Sequence, residues 1–209
     1  MKKIARSREK NISASLATRK KSSGLVRIVS GAFRRTPLKV IDLEGLRPTP
    51  NRVRETFFDW ITHLIGGCEG KAVCDMFSGS GALGLEAASR GAARVLCIER
   101  NREAARTIAE AVTRLNAADR IEVLLSDAMQ RMKSTEETFD LIFIDPPFAS
   151  ALQCEAATLA RKRIRPEGLI CIESDKEITE ERFAELGLAV LRQGRAGNEF
   201  YFVLKPVFP

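Results

Sequence analysis

The chain holds a single histidine in 209 residues, and that scarcity removes several chemistries at once. A Ser-His-Asp relay needs a histidine beside its nucleophile, and histidine-rich metal centres need several. His63 falls on an amphipathic stretch that reads as helix, where surface or packing duty is the ordinary use. Cysteine is also sparse: Cys68, Cys74, Cys97, Cys154 and Cys171, an odd number with no CxxC spacing. Cys74, Cys97 and Cys171 lie inside apolar runs, so they read as reduced core residues and not as a disulfide frame or a zinc site. No metal is expected. No apolar run approaches the ~20 residues that span a bilayer. The N-terminus lacks the apolar core of a secretory signal. A cytoplasmic, membrane-free protein is expected.

What the chain does have is an unevenly placed charge. Net charge is +7, and residues 1–24 hold eight basic side chains (Lys2, Lys3, Arg6, Arg8, Lys10, Arg19, Lys20, Lys21) against one acid, Glu9. The remainder carries 26 residues of each sign and is neutral. Such a basic, disordered arm can pair with phosphates and gain affinity by counterion release. A solubilising extension or an organellar transit peptide are the other readings of it. Hydrophobic residues at 44% and charged ones at 29% describe an ordinary globular body. A neutral body without obvious apolar patches points to a monomer.

Along the chain, the segment from Arg27 to Ile41 reads as two short strands around Gly31, with Arg34 and Arg35 at the tip. Pro48 and Pro50 make Leu46–Pro50 extended. Asn51 can cap a helix from about Arg52 to Leu64 whose Val53, Phe57, Trp60, Ile61 and Leu64 share one face. Residues 25–66 thus form a hairpin plus helix, and residues 67–209 the main domain. From Lys71 on, strands alternate with helices: strands at Ala72–Phe77, Arg94–Glu99, Ile121–Leu125, Phe139–Ile144 and Gly168–Glu173. Helices are expected at Ala82–Arg90, Arg102–Leu115, Ala151–Arg163 and around Thr179–Glu185. A final hairpin, Leu188–Gln193 and Phe200–Lys205, turns at Gly194–Asn198. This order predicts an α/β fold: a doubly wound, mostly parallel, seven-stranded sheet with a C-terminal antiparallel hairpin.

Ligands of such sheets sit at the carboxyl ends of the strands. The first strand ends in Asp75-Met-Phe-Ser-Gly79-Ser-Gly81, where glycines permit a tight turn and close approach. The second ends in Glu99-Arg100, and its carboxylate can accept from ribose hydroxyls. The third runs into Asp127-Ala128, where Asp127 could accept from an adenine amine. Asp75, Ser78, Gly79, Gly81, Glu99, Arg100, Asp127 and Ala128 are therefore the candidate cofactor residues. Gly79-Ser-Gly81-Ala-Leu-Gly84 also matches the dinucleotide fingerprint. Two features disfavour an NAD-dependent oxidoreductase. Asp75 would repel a pyrophosphate but welcome the ammonium of a methionine moiety. The fourth strand ends in Asp145-Pro-Pro-Phe148, which hydride transfer does not require.

That tetrapeptide suits an exocyclic amine on a base, whose lone pair is delocalised into the ring. Two acceptors, one for each N–H, draw the lone pair out. The carboxylate of Asp145 and the carbonyl of Pro146 are two such acceptors, stiffened by consecutive prolines. Phe148 offers a ring for the extruded base. Asp145, Pro146 and Phe148 are the candidate catalytic residues, and a sulfonium methyl donor needs no metal.

Asp75-Met-Phe-Ser-Gly-Ser-Gly-Ala-Leu-Gly84 with Asp145-Pro-Pro-Phe148 resembles the amino-methyltransferase branch of the Rossmann-like class I methyltransferases. Gly45-Leu-Arg-Pro-Thr-Pro-Asn-Arg-Val-Arg-Glu-Thr-Phe-Phe-Asp-Trp60 narrows it: from about Arg27 to Lys205 the chain resembles the 16S ribosomal RNA guanine-N2 methyltransferase family RsmD. The resemblance implies S-adenosylmethionine held by Asp75, Gly79, Glu99 and Asp127, with Thr49–Arg52 near its methionine end. It implies a target guanine gripped by Asp145 to Phe148, and ribosomal RNA or the assembling 30S subunit as partner. Arg34, Arg35, Arg52 and Arg54 would contact phosphates. The chain departs from the family at Arg35 and Thr36, where a glycine and a basic residue are usual, at Asn51 in place of a common aspartate, and in its extra arm. The tetrapeptide alone also fits adenine N6, so an adenine-N6 methyltransferase on RNA or DNA is the alternative. No segment is long enough for a DNA target-recognition domain, which favours RNA read partly by shape. Intact acids at the strand ends argue against a non-enzymatic RNA-binding relic.

Overall fold

The computed structural model describes residues 24–41, 51–147 and 151–208. The basic segment up to residue 23, Thr49 and Phe148 lie outside the described residues. Two small strands, β1 (Leu25–Arg27) and β2 (Pro37–Lys39), pair antiparallel. Helix α1 (Asn51–Ile65) follows, and then the alternating body: β3 (Ala72–Asp75), α2 (Ala82–Ser89), β4 (Arg94–Glu99), α3 (Arg102–Arg114), β5 (Ile121–Leu125), α4 (Ala128–Ser134), β6 (Phe139–Ile144), α5 (Gln153–Arg161), β7 (Ile164–Ser174), α6 (Glu180–Glu185), β8 (Leu188–Ala196) and β9 (Glu199–Pro206).

The large sheet has seven strands in the order β5-β4-β3-β6-β7-β9-β8. Its first five strands are parallel and β9 is antiparallel to both neighbours. The chain leaves β3 towards one edge and returns at β6 to its other side, so the strand order reverses between β3 and β6. That is the crevice where open α/β sheets take ligands.

Strand periodicity divides the core in two. Val73, Cys97, Leu141, Phe143, Leu169, Cys171 and Val203 face α1, α2, α3 and the small hairpin. Cys74, Leu96, Ile98, Ile142, Ile144, Ile170 and Leu204 face α4, α5 and α6. Both faces of the central strands are buried, which is why their sequences are continuous apolar runs. All five cysteines are free. Burial pushes the Cys68 thiol up to about 11 and raises Cys74, Cys97 and Cys171 as well. They are core residues, as their apolar surroundings imply.

Some boundaries differ from the sequence expectation. Helix α4 was not foreseen. It is two turns long, too short for a clear 3.6-residue pattern, and is started by the carboxylate of Asp127 accepting from the amide of Gln130 at 2.9 Å. Strand β7 begins four residues early, at Ile164, because it runs on along β6 through a register shift. The last hairpin is longer and its turn tighter, at Gly197-Asn198, since pairing continues to Ala196 and Glu199.

The small hairpin is bolted to α2. Glu86, fully buried, accepts from the amides of Val29 at 2.7 Å and Ser30 at 3.0 Å. Ser89 adds its hydroxyl, 2.8 Å from the amide of Phe33, and its carbonyl, 2.8 Å from the amide of Ala32. A side chain at Gly31 (φ 80°) would collide with the Ser89 carbonyl, so glycine is required there. The small hairpin and α1 therefore share one core with the large sheet.

Candidate active site

The site forms at the carboxyl ends of β3, β4 and β6. Asp75 ends β3, is 1% exposed, and accepts from the amide of Gly84 through Oδ2 at 3.0 Å. Its other oxygen, Oδ1, is buried without a hydrogen-bond partner among the described residues. An acceptor desolvated and left open in this way is costly unless a donor arrives. Burial raises the Asp75 carboxyl from 3.8 to about 7, with the charges of Asp145 and Glu99 adding to the effect.

The loop after Asp75 is held on three sides. Met76 donates its amide to Phe143 of β6 at 3.1 Å, Ser78 donates its amide to Ile98 of β4 at 3.0 Å, and the Ser78 hydroxyl donates to the Asp75 carbonyl at 3.0 Å. Gly79 (φ 53°) and Gly81 (φ 77°) take left-handed backbone that other residues resist. Gly84 serves another end. A Cβ there would stand 2.6 Å from Cys97 Sγ and 3.2 Å from Asp75 Oδ2, so its absence lets α2 press against β3 and β4.

Glu99 ends β4 and is buried. Its Oε2 accepts from the Gly79 amide at 2.8 Å and its Oε1 from the Asn101 amide at 2.6 Å. The carboxylate thereby clamps the glycine loop, and each oxygen keeps further acceptor capacity. Asp127, at the end of β5, is exposed and caps α4; Ala128 behind it is buried, and Arg100 is exposed. Asp145 and Pro146 follow β6 directly, beside Asp75 across the switch point, and Asp145 is half-buried.

The arginines sort differently. Arg52 is exposed at the start of α1. Arg34 and Arg35 are exposed, but their turn is fastened to Ser89, the far end of α2 from the glycine loop. With eight helical residues between, that is about 12 Å from the site. Arg54 corrects the sequence expectation that it contacts phosphate. It is 1% exposed, donates to the Arg27 carbonyl at 2.5 Å and lies 3.9 Å from Glu86. Burial lowers its pKa and the Glu86 charge opposes that. It faces the core because α1 turns this side towards α2.

Two polar residues were missed. Glu86 had a signal: it is the lone charge in the apolar helix Ala82–Ser89. Glu173 had one also, ending an apolar strand as Glu99 does. It is buried at the end of β7, in line with Asp145 once the Ile144–Ile172 pairing is extended by one residue.

The same architecture recurs in known proteins. A family model described as conserved hypothetical protein 95 matches residues 26–205. Ribosomal RNA small subunit methyltransferase D of Escherichia coli (strain K12) is 38% identical over 157 residues, 74% of this chain and 77% of that protein. Its namesake in Haemophilus influenzae is 35% identical over 173 residues, 79% of this chain and 88% of that protein. The solved Escherichia coli protein yhhF superposes with a TM-score of 0.76 at 33% identity, covering 89% of this chain and all of that one.

Proposed function

The chain belongs to the RsmD-like methyltransferase family, and on that premise we propose that it transfers a methyl group from S-adenosylmethionine to the exocyclic N2 amine of a guanine in 16S ribosomal RNA. The observation that carries this reading is the meeting of Asp75, Glu99 and Asp145 at three strand ends around the switch point.

Asp75 fits the cofactor's ammonium, because its buried Oδ1 is an acceptor in want of a donor. Glu99, with acceptor capacity left over, suits ribose hydroxyls, and Asp127 at the end of β5 suits an adenine amine. Ser78, Gly79, Gly81, Arg100 and Ala128 line the same strand ends, and Thr49 belongs with the methionine end. S-adenosylmethionine, when bound, supplies the electrophilic methyl group. The Asp145 carboxylate and the Pro146 carbonyl each accept one N–H of the guanine amine and draw its lone pair out of the ring. Phe148 stacks on the base. Once methylated, the nitrogen is cationic and gives up one proton, which Asp145 is placed to take. Fixed acceptors need no reorganisation as charge develops, and proximity supplies much of the rate. The partner is ribosomal RNA or the assembling 30S subunit, met in the cytoplasm. No helix among the described residues is long and apolar enough to cross a membrane.

The test is incubation with labelled S-adenosylmethionine and naked 16S RNA, 30S subunits or DNA, followed by digestion to nucleosides. Labelled N2-methylguanosine is expected. N6-methyladenine, or label only in DNA, would overturn the assignment.

A further inference from the structure

We propose that the tip of the β8–β9 hairpin is a ledge that grips the RNA backbone beside the target guanine, with Arg195 as its main contact. This rests on the methyltransferase reading above and names a contact that the reading does not contain.

Direction comes first. β7 is parallel to β6, and β9 and β8 each reverse in turn, so β8 ends and β9 begins at the same end of the sheet as Asp145. Ser174 pairs with Phe200, and Phe200 with Arg195. Continuing the Ile144–Ile172 register by two residues brings Pro146 level with Ser174. Arg195 thus stands three strand spacings from Pro146, about 14 Å. That is the reach of a few nucleotides from the reacting base. Arg34 and Arg35, by contrast, are fastened at the opposite end of α2.

Preparation comes second. The Arg195 guanidinium lies over the Phe200 ring, 5.0 Å from its centroid, and its Nε donates to the Gly197 carbonyl at 2.8 Å. Gly197 (φ 64°) takes the left-handed backbone that closes the turn and presents that carbonyl. Two restraints fix the plane of an exposed arginine whose terminal amino groups meet no carboxylate within salt-bridge distance among the described residues. A guanidinium held flat in this way has lost its entropy in advance and presents a fork suited to phosphate. Arg106, Arg165 and Arg182, by contrast, are each engaged by a carboxylate, of Glu110, Asp140 and Glu185 respectively. Towards the tip the hairpin strands carry Arg192 and Arg195 against one acid, Glu199, a basic balance that suits a polyanion.

The experiment uses the full chain, a 16S RNA substrate and labelled S-adenosylmethionine, comparing wild type with Arg195→Gln, Arg195→Glu and Arg195→Lys. Arg195→Gln should raise the RNA KM about tenfold while leaving kcat within about twofold. It should also reduce the salt slope of RNA affinity by about 1. Arg195→Glu should be worse and Arg195→Lys intermediate, since lysine keeps the charge but loses the fork. Cofactor affinity should stay at the wild-type value in all three, which also reports an intact fold. An unchanged RNA KM and salt slope in Arg195→Glu would overturn the ledge even if wild type forms N2-methylguanosine. If wild type forms none while Arg195→Glu still loses RNA affinity, the ledge stands and the methylation assignment falls. A variant that loses self-association in place of RNA affinity would make the tip a contact between copies, against the proposal.

Discussion

The amide of Gly84 donates to Asp75 Oδ2 at 3.0 Å, tying the first turn of α2 to the end of β3. The contact exists because residue 84 has no side chain. Gly84→Ala places a methyl group 2.6 Å from Cys97 Sγ and 3.2 Å from the carboxylate. Overpacking of this kind costs about 1–3 kcal/mol. Chemical denaturation should report that loss, and calorimetry should report weaker S-adenosylmethionine binding, because the Gly84 amide that holds the Asp75 carboxylate is displaced with the helix.

Asp75 makes the protein sensitive to pH near neutrality. Its carboxyl titrates at about 7 when folded and at 3.8 in its ordinary state, chiefly through burial. Between those values the folded chain binds more protons than the unfolded one. This contribution to stability is present below about pH 4 and lost as pH rises through 7 in the cofactor-free protein. A cation placed against Asp75 reverses the preference, so binding should release a proton and tighten as pH climbs through 7. Calorimetry in two buffers of different ionisation enthalpy measures the proton, and Asp75→Asn should abolish it. Affinity that stays flat across that range would count against the ammonium contact.

Asp145→Ala should cut methyl transfer by about 10²–10³-fold or more, with cofactor affinity within a few-fold of wild type. Single-turnover transfer and equilibrium binding separate the two effects. Persistent turnover would remove Asp145 from the chemistry.

Glu86 is the anchor of the N-terminal hairpin. It holds two backbone amides, pairs with Arg90 at 2.8 Å and lies 3.9 Å from buried Arg54. Glu86→Gln keeps the shape but removes the buried negative charge that faces Arg54 and Arg90, a loss of about 3–5 kcal/mol. Thermal denaturation and faster trypsin cleavage at Arg27 and Arg35 should show it. Unaltered stability would mean that apolar packing and the Ser89 contacts hold the hairpin without Glu86.

Arg35 has the opposite sign. Its φ of 70° is left-handed, at the position where the resembled family usually has glycine. A side chain costs about 1–2 kcal/mol in that conformation, partly offset by the greater freedom of an unfolded glycine. Arg35→Gly should therefore raise the urea midpoint slightly with an unchanged m-value.

The sequence revealed the layered sheet and its acidic strand ends because both are written locally. Buried parallel strands are apolar runs, and a carboxylate at the end of such a run is conspicuous. The fold and the rRNA methyltransferase assignment followed from these features and from the resemblance around Arg47–Trp60. Helix α4 escaped because two turns show no period. Arg54 was misread because it sits between Arg52 and Glu55 in what reads as a charged surface, while its partner Glu86 is 32 positions away. The β8–β9 tip escaped because the sequence shows a turn but not which end of the sheet it reaches.

The bolting of the small hairpin to α2 has a consequence for biosynthesis. Val29 and Ser30 are made early, yet the Glu86 carboxylate that receives their amides lies 57 and 56 positions later. At about 5–20 residues per second, that leaves some 3–11 s in which the emerging chain has no native seat for its first strands. Additional time passes before residue 86 clears the ribosomal exit tunnel. The first strands of a nascent methyltransferase thus wait until the helix that will hold them has been translated.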